Sequence, residues 1–129
     1  MIEIKVSKQS NYPIKAQLIK NTLKSFFAEH GIVSDSICYV SFVSETKMKD
    51  IGKKYYKKDT KIHNVFSFVE SEVNNFKNPD ISKIYLGEII VCFPVCVKEA
   101  KQEGKLIDQK VIELVTHSAL HLMGIHHKE

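Results

Sequence analysis

Arginine and tryptophan are absent from this 129-residue sequence. All 19 basic residues are lysines, and they leave a formal net charge of +4. Lysine brings a point charge to a phosphate but not the planar, two-pronged fork of arginine. The basic surplus is therefore compatible with nucleic-acid binding without requiring it. Cysteine is scarce: Cys38, Cys92 and Cys96 are odd in number and form no disulfide framework. No repeat, low-complexity tract or Gly/Ser linker divides the chain. No apolar run approaches the length of a membrane span, and the opening MIEIKVSKQSN lacks the apolar heart of a secretory signal. These absences point to a cytoplasmic protein with no membrane partner. What is present, 43% hydrophobic and 26% charged residues, suits one globular domain able to bury a core.

Hydrophobic periodicity organises that domain. Residues 2–6 (IEIKV) alternate as a half-buried strand does. From Pro13 to about Glu29, Ile14, Leu18, Ile19, Leu23, Phe26 and Phe27 recur at helical spacing, with Gly31 as the stop. Ile37–Val43 reads as a strand, followed by a short polar helix from Thr46 to Tyr56. Asn64–Val69 and 84–92 (IYLGEIIVC) read as further strands, separated by a polar, exposed loop over 70–82. A helix over Lys98–Glu103 precedes a last helix from Ile107 to Leu122, with Asp108 as N-cap and Gly124 as C-cap. The expected fold is therefore α/β (α+β): a mixed sheet of about four strands packed with about four helices.

Chemistry concentrates at the end, in THSALHLMGIHHKE. His117 and His121 are four apart, so on a helix their rings lie on one face, a turn apart. Gly124 lets the chain turn back, and His127 then supplies a third nitrogen. Three neutral imidazoles suit zinc, and three protein ligands leave a fourth position open. One zinc ion per chain is the expected cofactor. The glutamate of H-E-x-x-H proteases falls at Ser118, and no H-x-E deaminase signature is present, so both of those chemistries are disfavoured. His30 and His63 stand outside any ligand spacing and are expected to be structural. Cys92 and Cys96 are expected as small buried residues.

Three segments, in order, resemble the YbeY endoribonucleases, also called rRNA maturation factors. His117-Ser-Ala-Leu-His121-Leu-Met-Gly124-Ile-His126-His127 is similar to the family's H-G-x-L-H-L-x-G-x-D-H signature. His63-Asn64-Val65-Phe66-Ser67-Phe68 resembles its Thr-Asp/Asn-Val-Leu-Ser-Phe segment, and Leu86-Gly87-Glu88-Ile89 its Leu-Gly-Asp-Ile. The resemblance implies an α/β fold, zinc on His117, His121 and His127, and cleavage of single-stranded RNA. It also implies a role in 16S rRNA maturation and ribosome quality control, with rRNA and the ribosome as partners. The chain departs from the pattern at Ser118 for glycine, His126 for aspartate and Glu88 for aspartate. It also has no counterpart to an arginine in the family's Tyr-Arg-Gly-Lys-Asp segment. Counting back without a gap puts Lys57 there; aligning on Asp59 puts Tyr56 there.

The expected mechanism is metal-assisted phosphodiester hydrolysis, with Lys57 and Glu88 as candidate catalytic residues. Lys57, Lys58 and Lys61 would hold the RNA backbone, with Tyr55, Tyr56 or Phe68 stacking on an unpaired base. Two rival functions are a non-catalytic rRNA-binding assembly factor with structural zinc and a zinc hydrolase acting on a peptide or small molecule.

Overall fold

The alternation at the start of the chain becomes the first strand of a four-stranded sheet in the computed structural model, which describes residues 1–55, 62–69 and 83–124. In chain order the elements are β1 (Ile2–Lys8), α1 (Ala16–Glu29), β2 (Ser36–Val43), α2 (Glu45–Tyr55), β3 (Val65–Phe68), β4 (Ile84–Cys92), α3 (Phe93–Glu103) and α4 (Ile107–Leu122). The sheet order is β1-β2-β4-β3. β1, β2 and β4 run parallel, and β3 pairs antiparallel with β4 at the edge. The mixed four-strand, four-helix architecture is the expected one.

Each sheet face carries its own core, because successive residues of a strand point to opposite sides. On one face Cys38, Val40, Phe42, Ile89 and Val91 meet Ile19, Leu23 and Phe27 of α1 and Val111, Leu114, Val115 and Ala119 of α4. Phe27 is wholly buried there, a contribution of roughly 2–3 kcal/mol from apolar area alone. On the other face Val43, Phe66, Phe68, Ile90 and Cys92 pack under Met48 of α2. The central strand β2 is covered on both sides, so SICYVSFV reads as a nearly unbroken apolar run.

Several boundaries differ from expectation. α1 begins at Ala16, because Pro13 and Ile14 lie in the extended approach to it. α3 begins at Phe93 rather than Lys98, with Pro94 in its first turn, where a missing N–H costs nothing. Leu106 rather than Asp108 occupies the N-cap of α4. Asp108 lies inside the first turn, where its charge complements the helix dipole and pairs with Lys15 at 2.9 Å. Gly104 closes α3 at φ 68°, in the left-handed region that glycine adopts without a Cβ clash. The loop expected over 70–82 lies outside the described residues. Among the described residues no helix is long and apolar enough to cross a membrane.

Candidate functional site

α4 has two jobs on adjacent faces. Val111, Leu114, Val115, Ser118 and Ala119 are buried against the sheet, while His117 is exposed and His121 half-buried beside that stripe. The i, i+4 spacing sets the two rings edge to face, with centroids 4.7 Å apart at 75°, and their Nε2 atoms stand 3.1 Å from each other. Thr116 does not compete for this space, because its hydroxyl donates back to Ile112 O at 2.7 Å. Ser118, where the family pattern has glycine, is buried within an uninterrupted helix.

The histidines form one wall of a cleft of about 480 Å³, and β3 with its flanks forms the other, including Asn64, Ser67 and Val69. β3 is held there by pairing with β4 and by Cys92 N–H donating to Asn64 O at 2.8 Å. Asn64 is also anchored through its side chain. Its Nδ2 donates to Glu99 Oε1 at 2.9 Å, and Glu99 lies 3.8 Å from Lys110 Nζ. Lys110 is buried on α4 and donates to both carboxylate oxygens of Glu103, at 3.0 and 2.9 Å. Burial pulls its ammonium down, but the bond to Glu103 and the charges of Glu113, Glu103 and Glu99 outweigh that and hold it above its ordinary value. This anchorage escaped the sequence reading. The available signal was Lys110 itself, a lysine four residues before Leu114 on the buried stripe.

Gly87 fixes how closely α4 approaches the sheet. Its φ is +142°, and a Cβ there would lie 2.5 Å from Leu122 Cδ2 and 2.6 Å from Phe68 O. Leu122 adjoins His121, so this contact helps to seat the histidine end of the helix.

Glu88 does not line the histidine cleft. It pairs across the strands with Tyr39 and Phe68, on the α2 face of the sheet, and lines a separate cleft of about 260 Å³. Desolvation raises its carboxyl above the ordinary range. Glu88, a candidate catalytic residue from the sequence, thus lines a different cleft from His117 and His121. Phe68 is 2% exposed and packs beneath Tyr55, which leaves Tyr55 as the more accessible ring. His127, His126, Tyr56, Lys57, Lys58 and Lys61 lie outside the described residues. Among the described residues no three His, Cys, Asp or Glu side chains gather as a metal-holding group. His30 stacks on Phe26 at 4.2 Å and bonds to Phe26 O through Nδ1 at 2.8 Å, a helix-end role. The three cysteines are free and buried.

Fold and site together define a mixed α/β domain whose last helix presents two converging imidazoles to a surface cleft. The chain belongs to the endoribonuclease YbeY family, whose model matches residues 2–129. A relative from Staphylococcus carnosus named endoribonuclease YbeY is 31% identical over 112 residues, covering 86% of this chain and 72% of its own. One from Francisella philomiragia with the same name is 29% identical over 98% of this chain and 78% of its own. Another from Azoarcus is 33% identical over 80% of this chain but only 40% of its own length. The solution structure of a Thermotoga maritima protein matches the fold with a TM-score of 0.63 at 21% identity, over 97% of this chain and 75% of that one.

Proposed function

We propose that this chain is a zinc-dependent endoribonuclease that cuts single-stranded RNA during 16S rRNA maturation and ribosome quality control in the cytoplasm. The observation that carries this reading is the 3.1 Å separation of the His117 and His121 Nε2 atoms at the wall of an open cleft. Two nitrogens on a tetrahedral zinc with bonds of about 2.0 Å stand roughly 3.3 Å apart, so the donor pair fits the ion. His127 is the proposed third ligand. Zinc bound there supplies Lewis acidity toward a phosphate oxygen.

The chain's own residues then have distinct tasks. The imidazoles hold the ion on the rigid face of α4, and β3 bounds the cleft so that a phosphodiester can enter between them. Asn64 and Ser67 give the facing wall hydrogen-bonding capacity toward phosphate or ribose. Lys57, Lys58 and Lys61 remain the proposed backbone-binding charges. Glu88 lines a different cleft.

One observation favours a second reading, a non-catalytic rRNA-binding factor with structural zinc. Among the described residues lining the histidine cleft there is no carboxylate to act as general base. Elemental analysis of zinc, paired with cleavage of single-stranded RNA before and after chelation, separates the two. One zinc per chain with chelator-sensitive cleavage supports the nuclease. One zinc with RNA binding but no cleavage supports the binding factor, and no zinc in a folded sample never exposed to chelator overturns both.

A further inference from the structure

The second cleft lies behind the first. Ser67 lines the histidine cleft and Phe68, the next residue, lines the other, so the two sites back onto each other across the edge strand β3. Their linings share no residue.

The composition of this rear cleft is specific. Lys47 and Lys54 of α2 stand on its outer wall with Asp50, giving a net positive rim. Tyr55 contributes a half-buried ring backed by Phe68, with centroids 4.8 Å apart. The Lys54 ammonium sits 5.3 Å from the Tyr55 centroid. A flexible lysine end therefore occupies a position over the ring that a flat base could take. Beside them Glu88 is half-buried and shielded from water, and among the described residues no hydrogen bond or ion pair reaches its carboxylate. Desolvating such a group without partners is unfavourable unless a ligand supplies the donors.

A cation-rimmed cleft with an aromatic platform and an unpartnered acceptor has the parts of a single-stranded nucleotide site: phosphate on lysine, base on tyrosine, base edge on carboxylate. A carboxylate offers two acceptors side by side. Guanine answers with two adjacent donors, N1–H and the N2 amino group, on its Watson–Crick edge, whereas adenine there offers one donor beside an acceptor. We infer that the cleft formed by Lys54, Tyr55 and Glu88 is a guanine-selecting subsite for the RNA strand whose phosphodiester lies in the histidine cleft. The inference rests on the nuclease reading, and it assigns Glu88 to base recognition rather than to proton transfer.

The test is equilibrium binding of the full chain to two fluorescein-labelled RNA strands, UUUGUUU and UUUAUUU, followed by anisotropy. The guanine strand binds about tenfold more tightly to the unsubstituted protein. Glu88→Gln brings that ratio to about one by weakening the guanine strand alone, because the glutamine amide presents a donor where an acceptor is needed. Tyr55→Ala weakens both strands, and Lys54→Ala lowers the slope of log affinity against log salt by about 0.7. Equal affinity of the unsubstituted protein for the two strands overturns the subsite and leaves RNA binding intact. Equal weakening of both strands by Glu88→Gln also overturns it and marks the carboxylate as structural or as the contact of a protein partner. No binding to either strand overturns the subsite and the nuclease reading together.

Discussion

Gly87 and Leu122 meet where the sheet approaches the end of α4, and the gap between them is too small for a methyl group. With Leu122 Cδ2 2.5 Å and Phe68 O 2.6 Å from the Cβ position, and φ at +142°, Gly87→Ala pays both a steric and a conformational penalty. The expected loss is about 2–4 kcal/mol in urea unfolding. Gly31, also at positive φ but with nothing within 4 Å, is the control and loses about 1 kcal/mol as alanine. If zinc binds at the histidines, Gly87→Ala also weakens its retention, because α4 shifts at Leu122.

Lys110 ties three carboxylates to the underside of the site. Lys110→Ala removes a buried stem and leaves Glu99, Glu103 and Glu113 without their shared cation. The cost is about 2–4 kcal/mol, discounted from a fully buried network because the glutamates reach solvent. The same substitution at Lys105, on the outside of the cluster, costs much less. Unfolding curves of the two variants, run side by side in low and high salt, check the ranking.

Thiol chemistry should be silent in the native state. Desolvation pushes Cys38 up to about 12, with a further push from the charge of Glu88. Cys96 also rises to about 12 through burial, and burial raises Cys92 as well. Native protein at pH 8 therefore takes up no iodoacetamide, whereas unfolded protein takes up three equivalents, as counted by intact mass.

Glu88 gives the stability a pH dependence of known sign. Its folded-state value is raised, so its contribution is fully present below the ordinary carboxyl range near 4.5 and is lost as pH rises through the folded value. Glu88→Gln has no charge to desolvate. Its melting temperature therefore lies above that of the unsubstituted protein at pH 7–8, and the difference shrinks as pH falls toward 4.5. A gap that stays constant across that window contradicts the assignment.

On the proposed zinc site, zinc removal is the fifth lever. A ligand that binds only the folded state stabilises it by mass action, so chelation lowers the melting temperature. His117→Ala and His121→Ala melt at the chelated value and do not respond to added zinc. Calorimetry of the three proteins with and without zinc reads this directly.

The histidine pair was legible because i, i+4 on an apolar helix is a local property that folding preserves. Its companion groups were not legible, and the reasons are physical. A register shift between Ile37 and Cys38 inserts Leu86 as an extra residue of β4. Leu86 then packs toward the α1/α4 side together with Gly87, and the simple alternation that places Glu88 fails at that point. The start of α3 was hidden because Val91, Cys92 and Phe93 continue the apolar run of β4 into the helix, although Pro94 marked the turn. Asn64 reads in sequence only as the first residue of a strand, since nothing local connects it to Glu99, 35 positions away. Such contacts exist only once α3 has packed beside β3.

A single helix both closes the core and carries the histidine pair, which imposes an order on biosynthesis. Until residues 107–122 have been made, the face formed by Val40, Phe42, Ile89 and Val91 lacks α4 as its cover, and the imidazoles that mark the site do not yet exist. Newly made chain therefore gains the cover of this core and its histidine pair in one stretch of synthesis.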